Sequence, residues 1–232
     1  MLVWERKAFL KGASIIIGLD EAGRGPLAGP VVAGAVILEL FPSKRYSILG
    51  YKERIDDSKK LQPAQRKKAF KEISEKAIFG VGIKDNKYID RENIHMATLA
   101  AMKQSVKKLV SKFCRLADKK EKNIRKNICV LVDGVFGGFL PYKTIPIVKG
   151  DSKSFSIAAA SIVAKVTRDA IMNQYDKKYP LYSFSKHKGY GTKLHLQAIE
   201  QYGPCPVHRK SFAPISEDIA YGVRPRPEGH AS

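Results

Sequence analysis

Four carboxylates sit where they could do chemistry. Asp20 and Glu21 stand side by side after the apolar run Ile15-Ile16-Ile17-Gly18-Leu19, Asp133 follows Ile128-Cys129-Val130-Leu131-Val132, and Asp169 lies inside a long stretch of small and apolar residues. Oxygen-only donors of this kind suit hard divalent cations such as Mg²⁺ or Mn²⁺, which keep several of their waters. Zinc chemistry is not written: Cys114, Cys129 and Cys205 are widely spaced and form no paired knuckle. Adjacent strand residues point to opposite faces, so Asp20 and Glu21 can share a site only where the strand ends or distorts. Gly23 and Gly25 supply that freedom. Each acid alone also reads as a solvated strand end or helix cap, and Asp169 as a surface partner of Lys165 or Arg168. Acids in three otherwise apolar stretches weigh against that blander reading.

The segment from Ala22 to Pro30 carries three glycines and two prolines and leads into a strand, so it is neither a dinucleotide fingerprint nor a P-loop. Such a loop can bring bare backbone close to a phosphate or a sugar. Basic residues interleave with aromatics at Lys59-Lys60 with Arg66-Lys67-Lys68, along residues 103–126, and at Lys186, Lys188 and Lys193 around Phe184, His187 and Tyr190. That mixture fits phosphate contacts combined with stacking on sugar or base, although a share of these lysines is plain solvated surface. His187 and His208 read as structural or exposed rather than catalytic.

These residues need elements to hold them. Residues 14–20 and 31–38 read as two buried strands around the glycine loop, with further strands at 79–83, 128–132 and 144–148. Pro63 opens a helix with Phe70, Ile73 and Ala77 on one face; residues 93–113 form an amphipathic, lysine-rich helix; residues 154–175 form a small-residue helix with Ser152 or Ser154 as its cap. Grouped strands followed by interleaved helices give the α/β class. Residues 1–178 are expected to form the catalytic domain, 179–223 a C-terminal helical substrate-binding annex, and 224–232 a loose tail.

The 232 residues carry 42 Lys and Arg against 22 Asp and Glu, a formal charge of +20 and a pI near 9.8, which favours a polyanionic partner. A hydrophobic fraction of 44% excludes disorder for most of the chain. No run approaches a membrane span, and Glu5, Arg6, Lys7 and Lys11 break the N-terminal apolar stretch, so a soluble, cytoplasmic monomer is expected.

The segment Gly18-Leu19-Asp20-Glu21-Ala22-Gly23-Arg24-Gly25-Pro26-Leu27-Ala28-Gly29-Pro30 resembles the ribonuclease HII (type 2 ribonuclease H) family. In order along the chain, Asp57-Ser58-Lys59-Lys60-Leu61, Val132-Asp133-Gly134, Gly150-Asp151-Ser152-Lys153, residues 157–169, His187-Lys188-Gly189-Tyr190-Gly191-Thr192 and His208-Arg209-Lys210-Ser211-Phe212 agree with it. The resemblance implies a ribonuclease H-like fold, a mixed five-stranded sheet flanked by helices. It also implies endonucleolytic cleavage of the RNA strand of RNA/DNA hybrids, including at single ribonucleotides in duplex DNA. It places the metal-binding and catalytic acids at Asp20, Glu21, Asp133 and Asp169, holding two Mn²⁺ or Mg²⁺ ions. Gly23, Arg24 and Gly25 fall on the element that senses the ribose 2′-OH, Tyr190 on the junction-sensing tyrosine, and Ser58, Lys59 and Lys153 on substrate contacts. The readings left open are a ribonuclease HIII-type hybrid nuclease, another metal-dependent nuclease or integrase on this fold, and a non-catalytic nucleic-acid-binding module. A sliding clamp is not readable from the sequence.

Overall fold

The computed structural model describes residues 1–38 and 51–216. The expected tail at 224–232 and the end of the annex, 217–223, lie outside the described residues. In chain order the elements are α1 (Val3–Leu10), β1 (Ile15–Ala22), β2 (Val31–Leu38), α2 (Pro63–Lys76), β3 (Ala77–Lys84), α3 (Asn86–Leu116), the short α4 (Glu121–Ile124), β4 (Ile128–Asp133), β5 (Lys143–Ile147), α5 (Phe155–Lys178), α6 (Phe184–His187) and α7 (Lys193–Tyr202).

The sheet order is β3-β2-β1-β4-β5. β1, β2 and β3 form an antiparallel meander, while β4 pairs parallel with β1, and β5 parallel with β4. This is the expected mixed five-stranded sheet. Strands covered on both faces read as continuous apolar runs, which is why β1 and β4 carry little polar residue until their last positions. Ile15, Ile17 and Leu19 of β1 and Ile128, Val130 and Val132 of β4 pack with Met102, Val106 and Leu109 of α3 on one face. Ile16, Cys129 and Leu131 pack on the other, with Ala8 of α1 and Ile157 of α5. α5 lies so close to the sheet that a Cβ at Gly18 would collide with the Ser156 carbonyl; only glycine allows that approach.

The structure moves several expected boundaries. β1 continues through Glu21 and Ala22 because the ladder to β2 pairs Glu21 with Ala33 and Ala22 with Val32, whereas the ladder to β4 stops at Leu19. β3 begins at Ala77, a residue expected on the apolar face of α2. The long helix starts early, at Asn86, but breaks at Asn93 (φ 66°, ψ 165°), whose Oδ1 accepts from Met96 N at 3.0 Å. The expected start at 93 therefore survives as a cap inside a kinked helix. β5 ends at Ile147 and leaves Val148 exposed. Ser154 caps α5, accepting from Ile157 N at 3.3 Å. Beyond α5, Tyr182, Phe184, Ala198 and Val207 pack on Met172, so the annex closes on the end of that helix.

Candidate active site

Side-chain alternation brings two of the expected acids together. Asp20 shares a face with Ile16 and Gly18, Asp133 shares it with Cys129 and Leu131, and the two strands are parallel neighbours, so both carboxylates emerge at the same end of the sheet on the α5 side. The turn Gly150–Ser152 delivers a third acid, Asp151, to that spot just before α5. Carboxylate oxygens of Asp20, Asp133 and Asp151 all lie within 4.8 Å of one another. Gly150 N donates to Asp133 Oδ1 at 2.6 Å, which pins the turn to the strand. Glu21, one residue on, faces the α3 side. Its Oε1 is 3.5 Å from Arg24 Nη1, and its Oε2 is buried with no hydrogen-bond partner among the described residues.

Crowded acids resist ionisation. Burial raises Asp20 well above the usual carboxylate range, and Glu21, Asp133 and Asp151 add to the shift. Burial, with help from Asp133, lifts Glu21 to about 7 against the opposing pull of Arg24. Asp151 is raised by burial, then by Asp57 and Asp133, with Lys59 pulling the other way. Lys59 Nζ stands 3.6 Å from Asp151 Oδ2; burial, which lowers its pKa, is outweighed by Asp151, Asp57, Asp20 and Asp133. A buried set of mutually repelling oxygens, one of them idle, fits a hard divalent cation of the Mg²⁺ or Mn²⁺ kind.

Asp169 is not in this group. It lies fourteen residues into α5, about 20 Å of helix beyond the end that carries Asp151. Its carboxylate is held by Lys165 Nζ at 2.9 Å and Arg66 Nη1 at 3.5 Å. The expected place of Asp169 beside the other acids is therefore taken by Asp151. The sequence signal for Asp151 is the segment Gly150-Asp151-Ser152-Lys153, of which the resemblance marks only Lys153 as a site residue.

The glycine loop between β1 and β2 is fixed from below by two arginines with no exposed surface, Arg168 and Arg209. Arg209 donates to the carbonyls of Gly23 (2.5 Å), Arg24 (2.8 Å) and Gly29 (3.0 Å), and Arg168 to those of Ala28, Pro30 and Lys188. Burial, then the neighbouring Arg168, depresses Arg209 to about 9. Gly23 has φ +96°, and a Cβ there would strike the Arg168 side chain. Arg24 turns its guanidinium over the Phe136 ring, 5.3 Å from the centroid. Tyr190 is 44% exposed and borders the loop: a Cβ on Gly25 would lie 3.9 Å from its Cε1. Ser58 is buried, its amide donating to Ser161 Oγ, and Lys153 Nζ donates to the Val148 carbonyl. The sequence offers Arg168 as a surface partner of Asp169 and Arg209 only within the segment His208–Phe212; the structure instead buries both under the loop, since nothing in the residue pattern separates a buried arginine from a surface cation.

A family model described as Ribonuclease HII matches residues 17–215. The chain belongs to the ribonuclease HII family. It is 49% identical over 213 residues to ribonuclease HII of Ruminiclostridium cellulolyticum, covering 91% of this chain and 75% of the relative. Ribonuclease H2 of Pyrococcus horikoshii superposes with a TM-score of 0.61 at 25% identity, covering 88% of this chain and 96% of that one. Bst-RNase HIII in complex with Mn²⁺ superposes with a TM-score of 0.65 at 19% identity, over 94% and 73% of the two chains. As a ribonuclease HII the chain is a ribonuclease H endonuclease that acts on nucleic acid and depends on a divalent metal. No helix among the described residues is long and apolar enough to cross a membrane.

Proposed function

We propose that this ribonuclease H endonuclease cleaves the RNA strand of RNA/DNA hybrids and also cuts at a single ribonucleotide embedded in duplex DNA, leaving 5′-phosphate and 3′-hydroxyl ends, and so serves ribonucleotide removal from DNA. The observation that carries the reading is the convergence of Asp20, Asp133 and Asp151 oxygens in a molecule whose glycine loop is bordered by an exposed aromatic ring.

Asp20, Glu21, Asp133 and Asp151 are the residues that would hold two Mg²⁺ or Mn²⁺ ions. Bound there, such ions would supply Lewis acidity for an attacking water and for the charge on a leaving 3′ oxygen. The protein's own part is positioning. Arg168 and Arg209 fix the carbonyl side of the loop at residues 23–30, so Gly23, Arg24 and Gly25 meet the sugar in one conformation rather than several. The 2′-OH is the group that separates RNA from DNA at a given site, and backbone without side chains can approach it closely. Tyr190 offers its exposed ring to the neighbouring sugar. Lys59, beside Asp151, places a cation where a scissile phosphate would add negative charge. Lys153 is a second candidate phosphate contact.

The test is to incubate the protein with Mg²⁺ or Mn²⁺ and a DNA duplex containing one ribonucleotide, then map the cut and its ends. A metal-dependent cut at the ribonucleotide with 5′-phosphate ends is expected, and Asp133→Asn should abolish it. Equal cutting of an all-DNA duplex would overturn the proposal.

A further inference from the structure

We infer that Glu5, on the N-terminal helix α1, is a positioning residue for the Asp151 turn, acting through Ser154 and Ser156 at the start of α5. Glu5 has no exposed surface. Its Oε1 accepts three hydrogen bonds, from Ser154 Oγ (2.6 Å), Ser156 N (2.9 Å) and Ser156 Oγ (2.9 Å), while Oε2 is buried with no hydrogen-bond partner among the described residues. A buried carboxylate with an idle oxygen costs stability unless something offsets it. The cleavage chemistry has no use for an acid there.

The offset lies in α5. The first N–H groups of a helix have no intrahelical partner and carry the positive end of its dipole. Here α1 and the residues just before it supply acceptors for two of them: Phe155 N donates to the Met1 carbonyl at 3.0 Å, and Ser156 N to Glu5. Ser154, held by Glu5 through its hydroxyl, also donates its amide to the Gly150 carbonyl at 2.8 Å, and Gly150 N in turn donates to Asp133. Asp151 thus sits in a turn tied at one end to a strand acid and at the other to the serine that Glu5 grips. Trp4 and Ala8 seat α1 against Leu131, Ile147 and Ile157.

This inference rests on the reading of Asp151 as a metal ligand. The experiment titrates wild type, Glu5→Ala, Glu5→Gln and Trp4→Ala with Mn²⁺ by calorimetry, without substrate, and records each Tm. Groups that orient ligands are worth roughly 10–100-fold in metal affinity. A rise of about tenfold in the Mn²⁺ Kd is expected for Glu5→Ala, recovered largely by Glu5→Gln, which keeps an oxygen acceptor for the serines. Trp4→Ala, which loosens the same helix without touching Ser154, should lower the Tm and leave the Kd within about twofold. An unchanged Kd in Glu5→Ala, or an equal rise in Trp4→Ala, overturns the inference. A wild type that takes up no Mn²⁺ would overturn the metal assignment beneath it instead. Should Glu5→Ala fail to fold, Ser154→Ala is read by the same criterion.

Discussion

Lys165 Nζ stands 2.9 Å from Oδ1 of Asp169, one turn along the same helix, and Arg66 approaches the other oxygen at 3.5 Å. Arg66 also donates to the carbonyls of Ser58 and Leu61, so Asp169 steadies the arginine that holds the loop carrying Lys59. Asp151, by contrast, faces Asp20 and Asp133. The two acids are therefore expected to behave differently. Asp151→Asn should cut turnover at fixed Mg²⁺ by at least about a hundredfold, since a lost ligand removes several kcal/mol of charge stabilisation. Asp169→Asn should keep activity within about threefold and cost roughly 1 kcal/mol of stability, as for a partly exposed ion pair. Steady-state rates on one hybrid substrate, with urea unfolding of both variants, decide it; the reverse ranking would return Asp169 to the metal site.

The glycine loop separates a folding role from a recognition role. At Gly23 the backbone has φ +96° and the Cβ direction points into Arg168, so Gly23→Ala combines a strained conformation with overpacking and should cost about 3 kcal/mol or more. At Gly25 a Cβ meets only the Tyr190 ring, at the ordinary distance of 3.9 Å. Gly25→Ala should therefore unfold like wild type yet lose about tenfold or more in cleavage, because the methyl stands where a sugar would approach. Thermal melts beside cleavage rates test this; full activity in folded Gly25→Ala would remove the loop from substrate recognition.

Tyr190 is half-exposed, its ring 5.9 Å from the Arg168 guanidinium carbon, and its hydrogen bonds to His187, Thr192 and His195 run through its backbone, which alanine keeps. Tyr190→Ala should barely move the Tm. Stacking on an aromatic ring is worth about 1–3 kcal/mol per base or sugar contact, so cleavage at a single embedded ribonucleotide should fall about tenfold or more. A long RNA tract offers alternative registers and should suffer less. Equal losses on the two substrates would make the tyrosine merely structural.

The sheet and the Asp20–Asp133 pair were legible because period-2 burial and a β-branched run place an acid at each strand's end without any knowledge of the partner. Burial periodicity marks neither Asp151 nor Glu5. One sits in a short turn with no periodicity, and the other in a helix whose mixed charges hide the face it buries. Asp169 misled for a related reason: an acid on a buried-looking helix can be satisfied by Lys165 and Arg66, and sequence spacing cannot tell a pair from a ligand. The helical turns at 86–92 were likewise hidden, although the break at Asn93 falls where the sequence starts its helix.

A chain of neutral imidazoles supports the turn that carries Tyr190. Cys205 N donates to His208 Nδ1 at 2.9 Å, which leaves His208 Nε2–H to donate to His195 Nε2 at 3.0 Å, and His195 Nδ1–H to donate to the Tyr190 carbonyl at 3.0 Å. Neither ring can take a second proton without losing an acceptor. Burial, then the neighbouring histidine, depresses both His195 and His208 to about 4. The unfolded rings protonate near 6.5 and the folded ones near 4, so stability is flat above pH 6.5 and falls as pH drops from 6.5 to 4. The slope is about 1.4 kcal/mol per pH unit for each ring. The buried acids slope the other way, Glu21 favouring the folded state as pH falls from 7 towards 4.5, and contribute equally to a His208→Gln variant. The difference in slope between wild type and His208→Gln, read by urea titration from pH 7.5 to 5, should be that of one titrating ring; no difference would mean that His208 titrates in the fold as it does in the unfolded chain, and a difference of opposite sign that it is charged in the fold.

The acids proposed to hold the metal should trade stability for function. Asp20 is buried and repelled by Glu21, Asp133 and Asp151, and its Oδ1 accepts from Glu21 N at 2.7 Å, a bond that an asparagine oxygen can also accept. Asp20→Asn removes the charge while keeping the shape. Without divalent metal this variant should be more stable than wild type by about 1–2 kcal/mol, as is common when a functional site's strain is relieved. Added Mn²⁺ should raise the wild-type Tm, because a ligand that binds only the folded state stabilises it, and should raise the variant's far less. Turnover should be lost in the variant at any metal concentration. Differential scanning calorimetry of both proteins, in chelator and in Mn²⁺, reads all of this in one series; a variant less stable than wild type in chelator would show that the Asp20 carboxylate is held by something other than a cation.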